Sequence, residues 1–226
     1  MYIQVSGFEA ELIRKKIKNM HLYVLRPDGK IRITAPMNTP ESRIRDFFES
    51  HIPWILKQRA RLDAEPKALP ITYSSGDVIT IFGSPYTLEV AEGKKNSFSF
   101  FLGKAYLTCK PSSTQEEREA IIEKALRESL YEKLPPMFDK WEKITGLYSS
   151  SFQIKKMKTR WGTCNTRTKK IWLNLELAKK SDECIEYVIL HELAHLKVPN
   201  HGKDFAYIMD KYMPNWRKIR EFLNQR

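Results

Sequence analysis

The hydrophobic pattern over the first third of the chain alternates strand signals with one helix. HLYVLRPDGKIRITAP holds two β-rich runs around Pro27-Asp28-Gly29, which predicts a hairpin. NTPESRIRDFFESHIPWILKQRARL then changes to helical spacing. Ile44, Phe47, Phe48 and Ile55 fall on one face of it. Thr39 stands where a cap is expected, Pro40 suits the first turn, and Pro53 is expected to kink or divide the helix. ALPITYSSGDVITIFGSPYTLEVAEG and SFSFFLGKAYLTC return to short strands separated by glycine turns. No internal repeat stands out.

The period changes again after Pro111. SSTQEEREAIIEKALRESLYEKL opens on a capping box, Thr114 with Glu117, and continues in an apolar line through Ile122, Leu126, Leu130 and Leu134. Pro135-Pro136 is expected to interrupt this helix, with MFDKWEKITG resuming it. FQIKKMKTRWGTCN and KKIWLNLEL read as two strands, with Phe152, Ile154, Met157, Ile171 and Leu173 as core positions. SDECIEYVILHELAHLKVPN reads as a helix capped by Ser181 or Asp182 and stopped by Pro199, Asn200 and Gly202. Two short helices close the chain. Phe205, Ile208, Met209 and Tyr212 form the stripe of the first; Trp216, Ile219 and Leu223 form that of the second. The pattern predicts an α+β protein. A strand-rich domain with one helix would span residues 1–110, and a helix-rich domain residues 111–226.

Composition narrows the class. With 226 residues, 42% hydrophobic and 29% charged, the chain is that of an ordinary globular protein. No run approaches the roughly 20 apolar residues of a membrane span, so no membrane association is expected. The opening MYIQVSGFEAELIRKK is broken by charge before a secretory segment can form. Cys109, Cys164 and Cys184 form no CxxC pair, so neither a disulfide framework nor a cysteine zinc knuckle is expected, and a reducing cytoplasm is the expected location. The formal net charge of +12 suggests an anionic partner. From Ser151 to Lys170 stand Lys155, Lys156, Lys158, Arg160, Arg167, Lys169 and Lys170, with no acid among them. This basic stretch is a candidate surface for nucleic acid or another polyanion.

Just downstream, HELAHLKVPNHGKDF holds three of the five histidines. Residues four apart on a helix share a face, so His191 and His195 can point at one ion. Glu192 is placed to reach a water beside the metal rather than the metal itself. The break at Pro199-Asn200 lets the chain return His201 as third ligand. Glu221, Asp204 and Asp210 are rivals for that position, but His201 has the spacing of HExxHxxGxxH, with Val198 where that pattern has glycine. Three protein ligands leave a tetrahedral position open, which characterises a catalytic zinc site with one Zn2+ per chain. Zinc lowers the pKa of bound water towards about 7, and a carboxylate can then take its proton. His21 and His51 are lone residues in unrelated segments. Arg160 could bind an anionic substrate group or steady an oxyanion, or it could pair with a carboxylate beneath the helix. Trp161 could line a substrate site or belong to the core. Cys164 reads better as a small buried residue than as an inhibitory ligand. Asn174 carries little signal of its own.

MKTRWGTCNTRTKKIWLNLEL, YVILHELAHL, NHGKDF and PNWRKIREFL together resemble the YgjP-like family of predicted zinc-dependent hydrolases, which is related to SprT-like metalloproteases. LRPDGKIRITAP, WILKQRARL and FGSPYTLEV also fit, so the resemblance covers nearly the whole chain and is strongest from Met157 to Phe205. It implies a β-rich N-terminal region followed by a minimal zincin-type catalytic domain, with the HExxH helix on a small sheet. It further implies His191, His195 and His201 as ligands, Glu192 as general base and acid, and TRWGTCN on or near the strand bordering the cleft. Relatives often carry an aromatic where this chain has Ala206, which bears on cleft shape. The expected function is a zinc-dependent metallopeptidase acting on polypeptide. One alternative is a zinc-dependent hydrolase of nucleotide phosphoanhydrides (pyrophosphate bonds), although no phosphate-cradling glycine loop is visible. Another is a non-enzymatic nucleic-acid-binding protein with a structural metal, against which three histidines argue, because structural zinc takes four ligands.

Overall fold

A computed structural model of the chain describes residues 1–25, 28–64 and 71–224. The chain divides into two compact units, Met1–Leu69 and Pro70–Arg226.

In the first unit, strands β1 (Tyr2–Val5), β2 (Phe8–Lys15), β3 (His21–Leu25) and β4 (Lys30–Pro36) precede helices α1 (Glu41–Ser50) and α2 (Ile52–Ala64). The sheet order is β1-β2-β4-β3. β3 and β4 pair antiparallel with Leu25 opposite Lys30, the hairpin expected there; Pro27 of its turn lies outside the described residues. The helical segment divides at His51, and Pro53 falls in the first turn of α2, where a missing N–H leaves no bond unmade. Thr39 does not cap α1. Pro40 holds the N-cap position without a side-chain bond, and the Thr39 carbonyl instead accepts from Arg14 Nη1 at 2.7 Å. Ile33, Ile44, Phe48 and Ile55 are fully buried and form this unit's core with Ile3, Leu12 and Ile31.

The second unit begins with β5 (Val78–Ile81), β6 (Ser84–Glu92), β7 (Ser97–Phe101) and β8 (Lys104–Cys109). Their order is β5-β6-β8-β7, with β6 and β8 parallel and both outer pairs antiparallel. This is the arrangement of the first sheet, where β2 and β4 are the parallel pair. The turns repeat as well. Ser6-Gly7, Phe82-Gly83 and Leu102-Gly103 all place two successive residues at positive φ, between 45° and 82°. Two-residue turns of that kind match the right-handed twist of the strands they join. The chain therefore contains one four-stranded topology twice. Sequence pattern hides this because, beyond the glycine in each turn, the two copies share geometry rather than residues.

Helix α3 (Gln115–Thr145) follows, capped by Thr114 and Glu117 in the reciprocal bonds expected of a capping box. It does not break at Pro135-Pro136. Both prolines lie on the exposed face, so the carbonyls they leave without a donor can be met by water. The neighbouring Leu130, Leu134, Met137, Phe138 and Trp141 are buried in one core that also holds Ile79, Ile81, Leu88 and Leu107 of the preceding sheet. That shared core places residues 78–109 in the same unit as α3, so the composition shift near Pro111 lies inside a unit rather than between two.

The remaining elements are β9 (Ser151–Lys155), β10 (Gly162–Asn165), β11 (Lys170–Asn174), a 3-10 turn (Leu175–Lys179), α4 (Asp182–His195), α5 (Lys203–Tyr212) and α6 (Trp216–Asn224). Three strands stand where two were expected. Residues 156–161 leave the sheet as a loop, and Met157 sits in that loop. The order is β10-β11-β9, parallel between β11 and β9 and antiparallel between β10 and β11. α4 packs on β10 and β11. The architecture is α+β, with sheets early, helices late and the HELAH helix on a small sheet. Among the described residues, no helix is long and apolar enough to cross a membrane.

The continuity of α3 gives a test. Proline in a helix interior is about 3 kcal/mol less favourable than alanine, part of which a stiffer unfolded chain offsets. Pro135→Ala and Pro136→Ala should each stabilise the protein by about 1–2 kcal/mol in chemical denaturation. Destabilisation by both would mean that the helix is interrupted there after all.

Candidate metal centre

α4 is buried on nearly every side: Ile185, Val188, Ile189, Leu190, Leu193 and Ala194 are each 2% exposed or less. Its position is thereby fixed, and with it the two histidines one turn apart. After His195 the chain tightens, with the Val198 N–H donating to the Ala194 carbonyl, and passes through Pro199 to His201 just ahead of α5. The three rings then converge. His191 Nε2 lies 3.2 Å from His195 Nε2 and 3.0 Å from His201 Nε2. Among the described residues this is the one group of three or more side chains suited to holding a metal, and its ligand atoms all fall within 4.8 Å of one another. Glu221, Asp204 and Asp210 are not part of it. Asp210 is committed elsewhere, accepting from Trp216 Nε1 at 2.8 Å and pairing with Arg217.

The imidazoles are oriented from behind. His195 Nδ1–H donates to the Val198 carbonyl at 3.0 Å, which leaves the Nε2 lone pair for the ion. Tyr187 Oη lies 3.4 Å from His191 Nδ1. Phe205, 2% exposed, lies under all three rings, its centroid 4.8 to 5.0 Å from theirs. Burial, then the charges of His195, His201 and Arg220, pushes the His191 pKa down to about 3. Its ring is therefore neutral at ordinary pH, the form a metal requires. Three imidazole nitrogen donors with one open direction fit a dication of zinc's preferences.

Glu192 is 4% exposed, and burial pushes its carboxyl up to about 8, with the Arg160 charge acting in the opposite sense. It lies against Gly162 at the start of β10. A Cβ built on Gly162 would stand 2.7 Å from Glu192 Oε1 and 2.8 Å from its Cγ. Gly162 is thus a clearance for the carboxyl, a role the sequence did not reveal. Cys164, two residues along the strand, has its thiol pushed up to about 11, first by burial and then by Glu192, so it stays a thiol.

A cleft of about 560 Å³ opens over the histidines. Arg160 and Trp161 line it, as do Tyr187 and, from α6, Arg220. Arg160 has no carboxylate ion pair among the described residues; only its backbone carbonyl is bonded, by Asn174 Nδ2 at 2.7 Å. Trp161 does both things considered for it, packing against the core while lining the cleft. Asn174, fully buried, turns out to clamp the 156–161 loop: it also donates to the Met157 carbonyl at 2.9 Å and accepts from the Met157 N–H at 3.1 Å. In the basic stretch, Lys156 reaches back to Glu123 and Glu119 of α3.

The profile of a family described as YgjP-like, metallopeptidase domain, matches residues 18–226. No curated protein matches the chain. Solved structures are similar to part of it, two metallopeptidase zymogens among them. One is the metallopeptidase zymogen abylysin of Pyrococcus abyssi, with 22% identity over 39% of this chain and 89% of that one, at a TM-score of 0.37. The other is the metallopeptidase zymogen jannalysin of Methanocaldococcus jannaschii, with 26% identity over 40% of this chain and 92% of that one, at a TM-score of 0.36. Scores this low leave the likeness without weight for fold or activity.

Two outcomes follow from this geometry. Elemental analysis of the purified protein should find about one zinc per chain; His195→Ala should release it and Glu192→Gln should retain it. Equal loss in both variants would put Glu192 among the ligands. Gly162→Ala should destabilise the protein by about 1–3 kcal/mol through overpacking. In a Glu192→Ala background, where the opposing atoms are gone, the same change should cost little. Equal penalties in the two backgrounds, measured by denaturation, would show that the glycine serves the strand and not the carboxyl.

Proposed function

We propose that this chain, which belongs to the YgjP-like metallopeptidase family, hydrolyses peptide bonds with one zinc ion held by His191, His195 and His201 and with Glu192 as the proton carrier. The observation that carries this reading is the convergence of three imidazole Nε2 atoms beside a buried carboxyl at the floor of a cleft. When bound, the dication supplies Lewis acidity and a lowered pKa for water.

The chain's own residues would do the rest. His191, His195 and His201 fix where the water and the substrate carbonyl meet. Glu192 accepts a proton from the water as its oxygen bonds to the carbonyl carbon. It then returns that proton to the amide nitrogen as the C–N bond breaks. A nearby cation and Arg160 both favour the ionised carboxylate, opposing the burial that raises its pKa. β10 is an outer strand of its sheet and packs on α4, so an extended peptide could add along it and lie across the metal. Arg160 and Trp161 would line the substrate's path. The basic stretch 151–170 would engage nucleic acid or another polyanion, bringing peptide substrates bound to it within reach. The cytoplasm is the proposed location, from the three cysteines, all free.

A second reading shares the metal and Glu192 but attacks a nucleotide phosphoanhydride; the arginines in the cleft are what favour it. The test compares zinc-dependent turnover of a casein-like protein and of a nucleotide panel by wild type, Glu192→Gln and Arg160→Ala. Peptide hydrolysis should vanish in Glu192→Gln and fall only modestly in Arg160→Ala, with zinc content unchanged. A phosphoanhydride needs charge-matched cations at its transition state, and losing one there commonly lowers the rate about 10³-fold or more. Nucleotide turnover that depends on both residues, without proteolysis, would replace the peptidase reading.

A further inference from the structure

The cleft over the histidines has a charge surplus that amide hydrolysis does not use. Its charged walls, apart from the imidazoles, are Arg160, Arg220 and Glu192. The arginines come from different elements, Arg160 from the 156–161 loop and Arg220 from α6, and both side chains are exposed. Among the described residues neither guanidinium makes an ion pair or a side-chain hydrogen bond. Two other arginines of this unit behave differently. Arg217, one turn before Arg220 on α6, pairs with Asp210, while Arg127 donates to the Ile154 carbonyl at 2.7 Å. Arg220 and Arg160 are the ones turned towards the metal centre. The field of Arg220 reaches His191 and His201, and that of Arg160 reaches Glu192.

The protein contributes two cations and one carboxyl to this space, and a bound dication adds two more positive charges. Among the described residues, no further acidic side chain lines the cleft to balance them. A scissile amide is neutral before attack, so in the bound complex another part of the substrate can supply the balancing charge. A guanidinium is a planar fork that matches a carboxylate in bidentate geometry. The Arg160 side of the cleft is also held in advance. Asn174, 0% exposed, grips both ends of its loop, at the Met157 and Arg160 carbonyls. A loop whose backbone is already held loses less freedom on binding than a mobile one. The volume of about 560 Å³ lies within the range of small-ligand sites.

We propose that Arg160 and Arg220 form a carboxylate subsite beside the metal centre, so that the preferred substrates are peptides presenting a carboxylate within the cleft. That group is either the C-terminal α-carboxylate or an aspartate or glutamate side chain near the cleaved bond. The proposal rests on the peptidase reading for the class of substrate, but the subsite can be measured without catalysis.

Four otherwise identical quenched fluorescent peptides serve as probes: free or amidated at the C-terminus, each with glutamate or glutamine beside the cleaved bond. Wild type should show a kcat/KM at least tenfold higher for a carboxylate form than for its neutral twin, and the pair that differs names the source. Arg160→Gln and Arg220→Gln should each reduce that ratio to below threefold, and Arg220→Lys should keep part of it. Calorimetric titration of the zinc-loaded Glu192→Gln chain with the same peptides reads the subsite in the absence of turnover. There the carboxylate form should bind at least tenfold more tightly, and the added arginine substitutions should abolish the difference. A binding preference without cleavage by wild type would leave the subsite and remove the peptidase reading. Cleavage of all four peptides at equal rates would leave the peptidase reading and remove the subsite. Inorganic pyrophosphate binding through both arginines more tightly than any of the peptides would overturn the carboxylate assignment.

Discussion

Much of this site depends on how closely helix α4 approaches strand β10. Glu192 and Gly162 meet at the contact, and there is no room between them for a single additional carbon. The approach leaves the carboxyl 4% exposed and raises its pKa, because an ion loses hydration when buried. It also sets the distance from the outer strand of the sheet to the histidines. The apolar residues around the rest of α4 fix the helix so that this distance does not vary. A helix only half buried could slide or tilt; one buried on nearly every side cannot without opening a cavity.

The histidines are held by a comparable economy of parts. Two come from one helix and need only the helical repeat. The third comes from a loop, and its place is set by the tight turn through Val198 and by Phe205 beneath the rings. An aromatic floor excludes water from below and offers no competing ligand, so the open direction lies towards the cleft. The Val198 backbone does two things at once: its N–H closes the helix and its carbonyl orients His195. Asn174 performs the matching task on the other wall, where four hydrogen bonds tie the Arg160 loop and the 3-10 turn to the end of β11.

Local pattern proved reliable where the cause of structure is local. The capping box at Thr114, the apolar stripes of α3, α5 and α6, and the stop after His195 all follow from neighbours within a few residues. It failed where a tertiary contact outweighed a local rule. Pro135-Pro136 ends a helix in isolation, but here the prolines face water while the core grips the same turns through Leu134, Met137 and Phe138. Thr39 is a good capping residue whose carbonyl is instead engaged by Arg14 from another strand. The shift in composition near Pro111 marked a change from sheet to helix, but both sides of it feed one core.

The sequence by itself determined the pair His191 and His195 with Glu192 between them, since a helix of fixed repeat carries that geometry wherever it goes. It also made His201 the strongest third partner, because a helix break of the right length lies between. Tertiary structure alone decided the surroundings. Gly162, Arg160 and Arg220 reach the site from three places in the chain up to 60 residues apart; the sequence offered Arg160 only as one of two readings, and nothing in local spacing marks Gly162 or Arg220. The approach of one element to another depends on which side chains fill the space between them. That depends on the whole core at once and is not a property of any short stretch of chain.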